Sequence, residues 1–403
     1  MRKQFSFVFF ILLVACFLGA LPFFFSGYIP NFTDAFFESV SGFTTTGATV
    51  LKDIEALPAA LLFWRALTQW LGGLGILLLV IESFRLQKKE TLHILPSIYT
   101  ALTLLQFTLL AVFGMNMFDA LTHSMATMST GGFSIRNNGI AYYNNAAAEW
   151  ICVPFMLLSG INLSLFRQTF LGKAKNILRS TETRVYTGII LIATVIVTAA
   201  VFAQGSAFGK AASFNNASSF YKAVSFPAAV RQAFFHVTSA ISTCGFFNAD
   251  YNFWPSAAQG VIFFLLLIGG CSGSAAGGIK VVRHAVLSRQ TTNEMKRFIY
   301  PRGIFDIPLD GKSGNKKAVY PAAGFIFLYF LILFFTALIV SSSGMEVLDS
   351  LRTALVCLGN TGLGLNAADF PAYVKWTLCL VMIAGRLELW AVLVILSGVF
   401  RRR

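Results

Sequence analysis

Four short stretches of this 403-residue chain share a residue chemistry suited to stripping water from a small cation. They read TTTGA (Thr44 to Ala48), MSTGG (Met128 to Gly132), STCGF (Ser242 to Phe246) and GNTGL (Gly359 to Leu363). Backbone carbonyls replace a hydration shell when they turn toward one axis, and glycine permits the required angles most readily. Thr and Ser add hydroxyl oxygens at little cost in volume. None of the four stretches carries a carboxylate, which argues against a divalent cation and leaves a monovalent one. A single such stretch is an ordinary turn. Four gain weight because each closes a segment of similar length: DAFFESVSGFTTTG (Asp34 to Gly47), DALTHSMATMSTG (Asp119 to Gly131), QAFFHVTSAISTCG (Gln232 to Gly245) and DSLRTALVCLGNTG (Asp349 to Gly362), with the glycine at offsets of 13, 12, 13 and 13.

These segments are about three helical turns long, too short to cross a bilayer. Three open on Asp, which suits the positive end of a helix dipole, so their negative ends point into the membrane. A short helix followed by extended backbone is tolerated at that depth only where protein buries it or water lines it. Around them lie eight apolar windows, at 5–26, 57–83, 95–117, 147–167, 184–204, 255–284, 319–341 and 372–400, each long enough to span. The predicted fold is all-α and polytopic, with eight transmembrane helices arranged as four span, short helix, loop, span repeats about one pseudo-fourfold pore. The repeats divide at 1–93, 94–182, 183–317 and 318–403.

Composition agrees. Hydrophobic residues make up 56% of the chain, charged residues 12%, and the mean hydropathy is +0.70, which excludes an ordinary soluble domain. The net charge of +14 would suit nucleic acid, but no cytoplasmic segment is long enough for a separate binding domain. Instead, 22 of the 31 Lys and Arg fall at the N-terminus, in 83–93, 166–184 and 279–317, and at Arg401 to Arg403. With eight spans all five segments share one side, so both termini are expected in the cytoplasm and the short helices enter from outside. The six cysteines (Cys16, Cys152, Cys244, Cys271, Cys357, Cys379) sit in or beside apolar runs without CxxC spacing and read as reduced thiols. The N-terminal apolar run lacks a clear cleavage site and reads as a retained first span.

The sixth window is broken. Pro255 to Ile268 gives 14 residues, about 21 Å of helix, before GGCSGSAAGG (Gly269 to Gly278). Ten residues drawn from Gly, Ser, Ala and Cys do not make a stable lipid-facing helix, so this loop is expected beneath the four stretches, in a water-filled cavity. A phosphate loop would need a βαβ unit the sequence does not offer; small-residue helix packing is the blander alternative. Arg386 stands mid-span in the last window, where a charge is costly and by default faces the bundle interior. It is expected below the four stretches, repelling cations. Glu388, at i+2, does not share its helix face and is expected to pair with another repeat. Arg65 and Glu82 read as structural, and His123 and His236 as hydrogen-bonding residues on short helices.

The chain resembles the TrkH/KtrB superfamily of potassium-translocating subunits through SGFTTTGATV (Ser41 to Val50), WRALTQWLGGLGI (Trp64 to Ile76), STGGFS (Ser129 to Ser134), GIN (Gly160 to Asn162), GGCSGSAAGGIKVVR (Gly269 to Arg283), KRFIYPR (Lys296 to Arg302) and GRLE (Gly385 to Glu388). The motifs are TrkH-like and the length KtrB-like; the fourth loop reads NTGLG where TrkH commonly has NxGPG. The resemblance implies a selectivity filter made by Thr45, Thr46, Gly47 and Ala48; by Ser129, Thr130, Gly131 and Gly132; by Thr243, Cys244, Gly245 and Phe246; and by Asn360, Thr361, Gly362 and Leu363. It implies potassium as the transported ion, since a serine at the first-repeat glycine accompanies sodium passage in some plant members and Gly47 is glycine. It also implies an intramembrane gate at Gly269, Gly270, Gly273, Gly277 and Gly278 with Lys280 and Arg386. A homodimer in a bacterial inner membrane, a cytosolic nucleotide-binding regulatory subunit and no organic cofactor follow the same way.

A sodium- or proton-coupled carrier with midplane broken helices would show inverted symmetry and mid-membrane carboxylates, and a less selective potassium/sodium pathway differs only in fine loop chemistry. A membrane enzyme would need a nucleophile and base, and His93, His123, His236 and His284 accompany no nucleophile motif.

Overall fold

A computed structural model describes residues 2–83, 89–162, 165, 177, 179–211, 225–303, 305–308, 310 and 318–389. The described chain forms thirteen α-helices: α1 (Arg2–Phe25), α2 (Phe32–Phe43), α3 (Ala59–Ser83), α4 (Lys89–Val112), α5 (Met117–Met128), α6 (Ala146–Gly160), α7 (Thr181–Ala211), α8 (Phe226–Ile241), α9 (Ser256–Ile268), α10 (Val281–Ile299), α11 (Val319–Ser341), α12 (Val347–Leu358) and α13 (Ala372–Arg386). Four contain stretches long and apolar enough to cross a membrane: Ser6–Phe25, Ile94–Val112, Thr181–Gln204 and Val319–Ser341. Ala146–Gly160 and Ser256–Ile268 are shorter apolar helices.

Polarity runs inside out. The long helices present large apolar side chains outward, as α11 does with Phe327, Phe334 and Phe335, whereas the short helices α2, α5, α8 and α12 are buried together with Glu38, Ser39, His123, His236 and Ser350. That distribution suits lipid outside and a polar interior inside.

The short helices begin and stop for local reasons. Asn31 and Asn116 cap α2 and α5 by accepting from the N–H of Thr33 and Phe118, satisfying orphan donors of the first turn. Asp34, Asp119 and Asp349 lie in first turns. The third helix starts earlier than its sequence segment, at Phe226 and not at Gln232, because a proline occupies its first turn, where proline is pre-organised for a helix.

Each short helix packs chiefly on the long helix before it: α2 on α1, α5 on α4, α8 on α7 and α12 on α11. The helix after each loop leans on the next short helix, α3 on α5, α6 on α8, α9 on α12, and α13 back on α2. The chain therefore closes on itself as a ring.

Two expected spans are interrupted. The 255–284 window is α9 and the start of α10, separated by irregular backbone from Gly269 to Lys280. The 372–400 window was expected as one helix, but α13 ends at Arg386, and Glu388 has φ 63°, which an α-helix cannot accommodate. Residues 390–400, Arg401 to Arg403 and most of the 166–184 and 311–317 connections lie outside the described residues. All six cysteines are free and buried, as expected for reduced thiols.

Candidate functional site

The four loops repeat one backbone course. The helices are capped at Thr44, Ser129, Ser242 and Gly359. The next residue is left-handed in every case: Thr45 (φ 51°), Thr130 (57°), Thr243 (55°) and Asn360 (50°). A β-branched residue there is a genuine outlier, costing about 1–2 kcal/mol, and three of these four are threonines. Such strain persists only where surrounding structure over-determines it, and it clusters at functional sites. The third residue donates its N–H back into the helix, Thr46 to Ser41 O (2.8 Å), Gly131 to Ala126 O (2.9 Å), Cys244 to Ser239 O (2.9 Å) and Thr361 to Val356 O (3.0 Å). The fourth is a glycine with positive φ: Gly47, Gly132, Gly245 and Gly362.

This course corrects the register of the second loop. Gly132, not Gly131, ranks with Gly47, and Ser129 ranks with Thr44 as a helix cap. Counted to Gly132, the offset from Asp119 becomes 13, as in the other loops. The residues after the glycines are then Ala48, Phe133, Phe246 and Leu363, all buried.

The glycines join the loops into a ring. A methyl group on Gly47 would lie 2.0 Å from Gly131 O, one on Gly132 2.0 Å from Cys244 O, one on Gly245 2.0 Å from Thr361 O, and one on Gly362 1.9 Å from Thr46 O. Each glycine makes room for the carbonyl of the next loop, and the fourth returns to the first. Negative ends of four helix dipoles converge on this ring, a field that favours a cation. No cluster of three or more His, Cys, Asp or Glu that could hold a metal occurs among the described residues.

Side chains behind the ring brace it. Gln69 of α3 donates to Gly131 O (2.7 Å) and accepts from Phe133 N–H (3.1 Å). Asn360 Nδ2 donates to Thr46 Oγ1 (3.0 Å) and Met382 O (2.9 Å). Arg65 and Glu38 form a buried pair at 2.8 Å. Glu38 also accepts from Val50 N–H and Thr49 Oγ1, while Arg65 donates to Ser134 O and lies 4.1 Å from the Phe133 ring centre. The histidines of α5 and α8 do the same work: His123 Nε2 meets Ser134 Oγ (3.2 Å) and His236 Nε2 meets Ala249 O (3.1 Å). Arg65 and both histidines are thus structural, as expected; the Glu82 side chain is outside the described residues. On the loops' far flank, Asn137 donates to Asp53 (2.8 Å) and accepts from Ile54 N–H (2.8 Å). That amide holds the Asp53 carboxyl below the usual carboxylate range.

The Gly269–Gly278 loop lies directly against the ring. Thr130 Oγ1 donates to Ala275 O (3.1 Å), Gly277 N–H donates to Thr243 Oγ1 (2.8 Å), and a methyl on Gly277 would sit 2.2 Å from Gly359 O. Gly269 (φ 72°), Gly273 (77°) and Gly278 (79°) supply its turns, whereas Gly270 and Gly277 have no positive φ. Two buried cations clasp it: Arg386 Nη1 donates to Ala275 O (2.7 Å), and Lys280 Nζ donates to Ala276 O. Glu388 pairs with Arg283 of α10 at 2.7 Å and not with Arg386. Gln69, and the hydroxyls of Thr130 and Thr243 as links to this loop, were not legible beforehand; a polar Gln within an apolar span was the available signal.

An all-helical chain with an apolar exterior and a buried ring of four glycine-joined loops belongs to the class of membrane transport proteins and not to the enzymes. The family model described as "Cation transport protein", TrkH, matches residues 1–94 and 87–399. The Trk system potassium uptake protein TrkH of Escherichia coli K12 is 32% identical over 96% of this chain and 83% of its own length. TrkG of the same organism is 30% identical over 92% and 79%. The crystal structure of the potassium transporter TrkH from Vibrio parahaemolyticus superposes with a TM-score of 0.89 at 31% identity, covering all of this chain and 86% of that one. The chain belongs to the TrkH family of cation transport proteins.

Proposed function

We propose that this protein carries potassium into the cell through the ring of four loops, which acts as its selectivity filter, and that the Gly269–Gly278 loop with Lys280 and Arg386 is its gate. The observation that carries the reading is closure of the ring: four glycines, one per loop, each admitting the carbonyl oxygen of its neighbour. A ring of backbone carbonyls with no carboxylate in its loops replaces the hydration of a monovalent cation, and the relatives are named potassium uptake proteins. The gate reading is supported by the loop's contacts with Thr130, Thr243 and Gly359 of the ring loops and by the two buried cations, Arg386 and Lys280, that donate to its carbonyls.

In the same reading the chain comprises four repeats, at 1–93, 94–182, 183–317 and 318–403, with eight spans about one pseudo-fourfold pore in a bacterial inner membrane. Both termini are cytoplasmic. It works as a homodimer with a cytosolic nucleotide-binding subunit docked on the basic connections. The test is rubidium uptake and growth at low potassium in a strain lacking its own potassium uptake, with sodium as competitor. Restored growth and rubidium uptake that excess sodium leaves intact are the expected result; failure to restore growth from a membrane-inserted protein overturns it.

A further inference from the structure

The Gly269–Gly278 loop has one more hold, made by a residue outside the ring and its clasp. Glu182, in the first turn of α7, accepts two backbone hydrogen bonds at a single carboxylate oxygen, from Ser272 N–H (2.6 Å) and Val282 N–H (3.2 Å). Ser272 belongs to the loop and Val282 to the first turn of α10. One carboxylate therefore ties the loop to the helix that follows it. Val282 is among the N–H groups that a helix start leaves without an internal partner, and a negative charge there also meets the positive end of the α10 dipole. Bonds to an ionised acceptor are the strong kind.

The residue before Glu182 is anchored elsewhere. Thr181 N–H donates to Asp310 Oδ1 (2.6 Å), and Asp310 N–H donates back to Thr181 Oγ1 (3.1 Å). Asp310 lies in the basic connection between α10 and α11 and is exposed. Asp310 is thus bonded at both its backbone and its side chain to the residue that precedes the carboxylate holding the loop.

Resting on the reading of this loop as the gate, we propose that Glu182 is a positioning residue that keeps the gate closed, and that the reciprocal Thr181–Asp310 pair holds Glu182 in place. Pulling Asp310 away shifts the first turn of α7, withdraws Glu182 from Ser272 and Val282, and frees one end of the loop while Arg386 and Lys280 still hold the middle.

The test uses the full chain in proteoliposomes with two readouts. Cys271 lies in the loop, is free and is 1% exposed, so its alkylation by N-ethylmaleimide, followed by mass spectrometry, reports opening independently of transport. The other five cysteines report general loosening. Glu182→Ala is expected to raise Cys271 alkylation about tenfold, the loss of roughly one charged hydrogen bond, and to raise rubidium flux with it, while the reference cysteines stay protected. Glu182→Gln keeps a carbonyl acceptor and should fall between the parent and Glu182→Ala. Asp310→Ala should raise both readouts less, and should add nothing to Glu182→Ala. Unchanged Cys271 alkylation in the Glu182 and Asp310 variants overturns the proposal, and additive effects overturn the link through Thr181. If Glu182→Ala loosens the whole fold, all six cysteines react together, and Asp310→Ala at the surface then decides. Faster Cys271 alkylation without a change in flux leaves the hold standing and overturns the gate reading.

Discussion

Gly131 and Gly132 are neighbours with opposite demands. A side chain at Gly132 meets the Cys244 carbonyl at 2.0 Å in a left-handed backbone (φ 72°), whereas one at Gly131 has as its nearest neighbours the end of the Gln69 side chain, at 2.4–2.7 Å. Backbone cannot yield as a side-chain end can. Gly132→Ala should therefore lower rubidium uptake about tenfold or more, alongside Gly47→Ala and Gly245→Ala, since the left-handed penalty alone is about 1–2 kcal/mol. Gly131→Ala should retain more uptake, and equal losses at the two positions would refute the register. The letters MSTGG offered two adjacent glycines and no way to choose, because the difference lies in φ and in a carbonyl 112 residues away along the chain, Cys244. Arg386 was legible for the opposite reason: a cation amid the apolar residues of a span is conspicuous in any window. Its bond to Ala275 O predicts that Arg386→Gln raises saturating rubidium flux or shifts its concentration dependence; if both match the parent, Arg386 has no part in gating.

The helices set where such residues stand, and their ends mattered more than their middles. The break after Ile268 was readable because Gly269 to Gly278 contains nothing that favours a helix, and α9 does end at Ile268. The break after Arg386 was not, because LELW continues the apolar pattern and only the φ of 63° at Glu388 reveals it. That break leaves Arg386 in the last turn of α13, where a cation favours the helix dipole. Contacts between helices were likewise invisible: Glu38 and Arg65 stand 27 residues apart, yet their buried pair binds α2 to α3 and to both flanking loops. Glu38→Gln removes one charge and strands the other, at a cost of about 3–5 kcal/mol, and should lower the melting temperature in detergent distinctly. Asp369→Asn, which removes the exposed pair with Lys52, should leave it unchanged, as surface pairs contribute little. Similar melting temperatures for the two variants would show that the buried pair is not a brace.

Across the whole molecule the sequence shows one more regularity, the confinement of most Lys and Arg to five connections. It predicts sidedness. A cysteine at Lys52, an exposed side chain on the loop after the first short helix, should react with a membrane-impermeant maleimide in intact cells, while one at Arg297 on α10 should react only after permeabilisation. The reverse pattern would invert the proposed orientation. Closure of the ring has a consequence for how the protein is made. Its last joint lies between Asn360 and Thr46, reinforced by Lys375 to Asp34 (2.6 Å) and by the bridge from Thr49 to Asn366, contacts more than 300 residues apart in sequence. A ribosome must release the far end before the near end can be sealed. Until then a partly synthesised chain has a ring that stands open on one side, with the carbonyl of Thr46 waiting for Gly362. The slowest contact to form, by loop-closure entropy, is the one that completes the ring.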